Sequence, residues 1–208
     1  MATIKHMKKA TQESMTLNTL KNNKIMTTSE LRRRGIHPET LARLTKRGVL
    51  ERASRGVYHT ATNDLTEHHG LAIVAAAIPA AVVCLLSALA YHEVGTQLPS
   101  RIWLALDRRA RKPAMDYSPI EVVRFGGRSL TEGIEEHKIE GQTVRVYTIA
   151  KTVADCFKYR NKIGLDVAME ALREAWRARR VTMDELTHYA RICRVERVMA
   201  PYLRALNG

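Results

Sequence analysis

Few residues in this chain of 208 have types and spacings that could do chemistry, and the sharpest set is Asp116 followed by Glu136-His137-Lys138. Two carboxylates of that kind bind Mg²⁺ while a lysine assists an attacking water, as in metal-dependent nucleases. The motif needs its Glu and Lys on a strand. Glu135-Glu136-His137-Lys138 instead lies between Gly133 and Gly141, in what reads as a loop or short hairpin with a solvated acidic pair. His68-His69 lacks further ligands at metal spacing and reads as a capped helix start or plain surface. Cys84, Cys156 and Cys193 are odd in number without a Cys-x-x-Cys pair, so they read as buried thiols in a reducing cytoplasm. There is no Gly-Ser with a following Asp-x-Asp as nucleotidyl transfer requires, no Gly-x-Ser-x-Gly elbow and no Walker loop. The expectation is a protein that is not an enzyme and needs neither metal nor cofactor.

What remains is positive charge, and it is unevenly placed. The formal net charge is +13, and residues 1–60 hold 13 Lys and Arg against 4 Asp and Glu. A basic surface concentrates polyanions, and each neutralised phosphate releases a counterion, so nucleic acid is the first partner to consider. A basic segment that only aids solubility is the plainer reading. A second cluster, Arg108, Arg109, Arg111 and Lys112, follows a predicted strand directly. It reads either as an extension of a nucleic-acid footprint or as a charged loop.

The elements that would carry the first cluster are legible in order. Thr11–Asn22 predicts a helix with Met15, Leu17 and Leu20 apolar. Thr28-Ser29-Glu30 opens a short second helix through Arg34, with Thr28 as its cap, and Gly35 stops it. Pro38 and Glu39 begin a third helix that Gly48 ends, after the turn at Ile36-His37. At 100° per residue its Leu41 and Leu44 point inward, while Glu39, Arg43 and Lys46 share the opposite face with Thr40, Ala42 and Arg47 on its flanks. A major groove admits one such helix, bearing long donors or small groups. Val49 to His59 reads as a hairpin around Gly56, whose tip carries Arg52, Ser54 and Arg55 toward phosphates or the minor groove. Order, spacing and charge together describe a winged helix-turn-helix module. Arg32, Arg33 and Arg34 suit either phosphates or the negative helix end, and His37 reads as a turn residue bonded to local backbone.

Beyond residue 61, helix and strand signals alternate. Helices are predicted at 65–78, 88–94, 151–160, 165–179, 183–193 and 196–206, and strands at 82–86, 102–107, 120–125 and 143–148. The fold class is α/β (α+β): a winged helix-turn-helix domain at 1–62, then a mixed α/β domain at 63–208. Glu121–Phe125 is expected beside Arg101–Asp107, and Thr182 with Glu185 fits a capping box. Leu165, Ala168, Met169, Leu172 and Trp176 form a core stripe. Residues 70–91 lack charge, but Pro79 and an N-cap at Ser87 split the run into helix, strand and helix rather than a membrane span. The N-terminus carries no apolar stretch of signal-peptide kind, so a cytoplasmic protein is expected.

Met26-Thr27-Thr28-Ser29-Glu30-Leu31-Arg32, Gly35-Ile36, Arg47-Gly48, Leu50-Glu51-Arg52 and Arg55-Gly56-Val57-Tyr58 together resemble the N-terminal domain of AbiEi-type antitoxins. These are the regulatory halves of bacterial type IV toxin–antitoxin and abortive-infection pairs. Leu85 to Gly95 and Val146 to Asp155 look like later segments of that family, and the likeness spans about residues 12–180. It implies a repressor that binds double-stranded DNA at inverted repeats in its own promoter, as monomer or weak homodimer. It also implies an antitoxin domain that counters a nucleotidyltransferase toxin without binding it stably. The residues expected on DNA from the module's own elements are Thr28, Arg32, Arg33, Arg34, Glu39, Thr40, Arg43, Lys46, Arg47, Arg52, Ser54 and Arg55. One departure stands out: the family's Glu-Arg-Thr before Leu-x-Asp is here Ala150-Lys151-Thr152 before Val153-Ala154-Asp155. If antitoxin activity needs that arginine, the chain is a stand-alone regulator.

Overall fold

A helix at residues 12–21, α1, opens the computed structural model, which describes residues 12–21, 23–61, 66–111, 113, 115 and 118–206. The helix ends expected at Thr11 and Asn22 therefore lie outside the described residues. Thr16 and Leu20 are fully buried, whereas the apolar Met15 is exposed. Residues four apart share a helix face, and Met15 sits one position off the face that Thr16 and Leu20 define. The Thr16 hydroxyl donates to the Gln12 carbonyl at 2.7 Å, so its burial leaves no polar group unpaired.

Strand β1 (Ile25–Thr27), helices α2 (Thr28–Arg33) and α3 (Pro38–Lys46), strands β2 (Leu50–Ser54) and β3 (Val57–Thr60), and helix α4 (His69–Ala77) follow. Only β1 was unforeseen. It turns the expected hairpin into an antiparallel sheet of order β1-β3-β2, with Met26 opposite Tyr58. As an edge strand β1 leaves backbone groups open, and the buried Gln142 amide donates to the Ile25 carbonyl at 2.8 Å. Leu20, Met26, Leu31, Ile36, Leu41, Leu44 and Leu50 form one apolar cluster between these elements. His68-His69 is the expected helix start, though without a side-chain capping bond, and His69 is no surface residue: it is buried, with Nδ1 2.5 Å from a Glu140 carboxylate oxygen. The other oxygen of Glu140 accepts from the Thr66 amide at 3.0 Å and the Thr66 hydroxyl at 2.8 Å.

The remaining elements are β4 (Val82–Val83), α5 (Leu85–Tyr91), β5 (Ile102–Asp107), β6 (Ile120–Phe125), α6 (Arg128–Thr131), β7 (Ile134–Ile139) and β8 (Gln142–Tyr147). Helices α7 (Ile149–Lys158), α8 (Arg160–Ile163), α9 (Leu165–Arg177), α10 (Met183–Cys193) and α11 (Glu196–Ala205) close the chain. The strands form a five-stranded mixed sheet in the order β6-β5-β4-β8-β7. The β5–β6 pair is parallel, Ile102 opposite Ile120 through Asp107 opposite Phe125. By their internal contacts the residues fall into two units: Met1–Pro79 with Ala114–Ser118 and His137–Val144, and Ala80–Pro113 with Pro119–Glu136 and Arg145–Gly208. The boundary at 62/63 drawn from sequence lies outside the described residues.

Two expectations shift and a third is narrowed. The second helix of the uncharged run starts at Leu85 with Cys84 as its cap, not after Ser87. Ser87 instead accepts from the Trp103 amide at 2.9 Å and so fastens α5 to β5. The buried side of α9 is Val167, Ala168, Ala171, Leu172 and Ala175, while Leu165 is exposed and Met169 and Trp176 are only partly buried. Third, of the loop or short hairpin expected for Glu135 to Lys138 the structure has the hairpin: they stand on strand β7, joined by a tight turn to its neighbour β8. The turn after it uses Glu140 (φ 50) and Gly141 (φ 85), the left-handed pair that a two-residue hairpin connection favours. Among the described residues no helix is long and apolar enough to cross a membrane. All three cysteines are free and buried.

The core of the second unit encloses an ion pair. Lys151 and Asp155 are wholly buried one helical turn apart on α7, with Nζ 2.5 Å from Oδ2. The ammonium also lies 3.9 Å from the Tyr147 ring centre and 4.8 Å from that of Phe125. The other Asp155 oxygen accepts from the Cys193 thiol at 3.1 Å. Burial pushes the Asp155 carboxyl up, against the pull of the Lys151 ammonium.

Candidate nucleic-acid interface

Helix α2 is held at its start by a reciprocal cap. The Glu30 amide donates to the Thr27 hydroxyl at 3.2 Å, and the Glu30 carboxylate accepts from the Thr27 amide at 2.7 Å. The cap is thus Thr27, not Thr28, because the extended conformation of Thr27 (φ −82, ψ 156) aims its hydroxyl at the free amides. Thr28, freed of that task, fastens the wing: its amide donates to the Gly56 carbonyl at 2.7 Å and its hydroxyl at 3.2 Å. Gly35 (φ 78) turns the chain, and the Ile36 amide closes back on the Leu31 carbonyl at 3.0 Å. One side chain of α1 clamps that turn from outside, since the Gln12 amide donates to the Gly35 carbonyl at 2.7 Å and its carbonyl accepts from the His37 amide at 3.0 Å. The α2–α3 angle is therefore fixed by buried Ile36 and by α1, which is what a helix that must enter a groove needs.

On α3, Leu41 and Leu44 are buried as expected, and Pro38, Glu39, Ala42, Lys46 and the following Arg47 are exposed. Thr40, expected on the outer flank, is buried: it falls within 40° of Leu44 on the wheel and shares its face. Arg43 is half-buried. Its Nε donates to a Glu13 carboxylate oxygen at 2.8 Å, and Arg47 grips both Glu13 oxygens at 2.9 and 3.0 Å. The Arg47 guanidinium, ahead of Arg43, holds the Glu13 carboxyl below its usual value. The exposed face is thereby narrowed to Glu39, Ala42 and Lys46. His37 is exposed and makes no side-chain capping bond.

The wing tip is the two-residue turn Arg55-Gly56, with Gly56 at φ 80. Arg52 and Arg55 are exposed, whereas Ser54, expected at the tip, is buried. A register shift between Arg52 and Ser54 breaks the alternation, so Ala53 and Ser54 both turn inward. Arg32, Arg33 and Arg34 are all exposed at the end of α2. Among the described residues, Arg32, Arg33, Arg34, Lys46, Arg52 and Arg55 form no ion pair, and Arg52 makes only a bond from Nε to the Ser54 carbonyl at 3.3 Å. The unit thus presents six cations without an ion pair among the described residues, on α2, α3 and the wing. Sequence reading missed Gln12 and Glu13, whose partners lie more than twenty residues away and leave no local signal.

Of the nuclease set only the part on β7 is described. Glu135 and Glu136 are exposed on β7, and Asp116 lies outside the described residues. Among the described residues no group of three or more His, Cys, Asp or Glu side chains could hold a metal ion.

No curated protein matches the chain. Residues 17–59, from within α1 to within β3, match the family model described as "Transcriptional regulator, AbiEi antitoxin". The matched stretch contains α2, α3 and the wing, and in that module the chain is similar to the AbiEi antitoxin family of transcriptional regulators.

Proposed function

We propose that this chain is a DNA-binding transcriptional repressor that controls its own operon as the antitoxin of a type IV pair, opposing a nucleotidyltransferase toxin without holding it in a stable complex. The observation that carries the reading is this set of cations on α2, α3 and the wing tip of a unit similar to AbiEi regulators. Helix α3 enters the major groove with Glu39, Ala42 and Lys46 outward. Lysine reads guanine acceptors, glutamate accepts from a cytosine amino group, and alanine lies against a thymine methyl. Arg32, Arg33, Arg34, Arg52 and Arg55 hold phosphates and set the register. Two copies, as cooperating monomers or a weak homodimer, occupy inverted repeats in the cytoplasm. The repressor itself carries out no catalysis.

Lys151, at the departure from the family's Glu-Arg-Thr, is wholly buried in an ion pair with Asp155. A second reading, a regulator with no toxin, draws on the family match ending at residue 59, short of the second unit. Two measurements test the proposal. Labelled duplex from upstream of the gene, titrated against a scrambled duplex of equal length, is expected to bind at least a hundredfold more tightly. Equal affinities overturn the repressor. Co-expression with a nucleotidyltransferase from the adjacent gene is expected to restore growth, and continued growth arrest leaves the stand-alone regulator.

A further inference from the structure

The second unit carries a basic hollow that DNA binding by the first does not use. Its volume is about 1050 Å³, the scale of a small-molecule site. The sequence cluster Arg108-Arg109, at the end of β5, meets Lys158 and Arg160 from the α7–α8 junction and Arg191 and Arg194 from the α10–α11 junction around it. Lys112, the last member of that cluster, lies outside the described residues, and Arg111 does not line the hollow. Four cations are already engaged. Arg191 pairs with Glu196 at 3.0 Å, Arg128 pairs with Glu132, Arg160 donates to the Phe157 carbonyl at 2.9 Å, and the Lys158 ammonium lies 5.0 Å from the Phe125 ring centre. Arg108, Arg109, Lys158 and Arg194 form no ion pair among the described residues. The one carboxylate in the wall, Asp107, accepts from the Arg109 amide at 2.8 Å.

Arg108, Arg109, Lys158 and Arg194, gathered around a concave wall that holds a single carboxylate, repel one another, and the wall focuses their field on whatever enters. Gly126 and Gly127 keep one side of the hollow free of side chains: a Cβ on Gly127 would meet nothing within 4 Å, and one on Gly126 would touch Arg108 Nε at 3.4 Å. The apolar part of the wall is Ile192, Cys193, Val195 and Val198, and among the described residues no aromatic ring lines it. With no ring among the described lining residues to stack a base, recognition falls on charge. A duplex offers its phosphates on a convex cylinder and does not fill a hollow of this size.

We infer that this hollow binds an oligophosphate anion, the chain of phosphates carried by a nucleoside triphosphate or by free polyphosphate. The phosphates lie between Arg108, Lys158 and Arg194, with the glycine turn allowing close approach. Titration calorimetry of the full chain with sodium tripolyphosphate, ATP, GTP and orthophosphate tests it. Tripolyphosphate is expected to bind at least tenfold more tightly than orthophosphate, with affinity falling as salt rises. Triphosphates matching tripolyphosphate identify the phosphate chain as the whole determinant, and tighter nucleotide binding adds a base or sugar contact. Arg108→Glu and Arg194→Glu, both exposed positions, are each expected to weaken binding tenfold or more with an unchanged circular dichroism spectrum, while Lys46→Glu leaves it intact. Arg109→Glu, on the exposed turn, serves if either variant fails to fold. Absence of tripolyphosphate binding at millimolar concentration overturns the inference. So does binding that survives both reversals, or reversals that weaken only duplex DNA.

Discussion

The most demanding prediction concerns salt. Six cations on α2, α3 and the wing, Arg32, Arg33, Arg34, Lys46, Arg52 and Arg55, face solvent without an ion pair among the described residues; the five arginines hold phosphates, and each phosphate neutralised contributes about 0.9 to the slope of log K against log salt. One bound copy should therefore show a slope of about −4.5 and lose on the order of five-hundredfold in affinity between 50 and 200 mM salt. Arg55→Ala should make the slope shallower by about 0.9 for upstream and scrambled duplexes alike. Lys46→Ala should mainly erase the preference between them, at about 1–3 kcal/mol per lost base contact. Glu13→Gln acts in the opposite direction. It releases Arg43 and Arg47, now drawn to one carboxylate at 2.8 and 2.9 Å, and should steepen the slope by up to about 1.8. Because Arg47 holds the Glu13 carboxyl below its usual value, the residue stays anionic throughout a neutral assay. Fluorescence anisotropy of labelled duplexes between 50 and 200 mM KCl reads all four proteins. A wild-type slope near zero, or one that Glu13→Gln makes shallower, would refute the account of which cations are free.

Other outcomes follow from the cores. Lys151→Ala should cost about 3–5 kcal/mol in urea denaturation, because it strands the buried Asp155 carboxylate; a loss under about 1 kcal/mol would contradict the pairing. Thr27→Ala removes the reciprocal cap of α2 and should cost about 1 kcal/mol, while Thr28→Ala should leave the helix in place and loosen the wing turn, as amide exchange at Gly56 would report. Burial holds the His59 imidazole below its usual value, so its neutral form is favoured on folding. Its contribution is complete above about pH 6.5 and is lost as pH falls through the lower folded value. Melting temperature should therefore drop between pH 7.5 and 5.5, and His59→Phe should reduce that drop; an unchanged pH profile in the variant would remove His59 as its source.

Local physics wrote much of this protein into its sequence. Pro38, the glycines at 35, 48 and 56, and the paired leucines of α3 determine where the helices and the wing start, stop and face, because caps, turns and periodicity act over four residues or fewer. The capping box at Thr182 and Glu185 is read the same way. Tertiary structure decided which cations remain available. Glu13 reaches Arg43 and Arg47 across thirty residues or more, a bulge turns Ser54 inward, and β1 joins the wing sheet from before α2. Likewise Arg108, Lys158 and Arg194 meet only because β5, α7 and α10 end on the same side of the second unit's core. A charge is legible in sequence as a residue type; whether it is exposed, paired or gathered into a hollow depends on contacts between distant segments, which only packing of the chain determines.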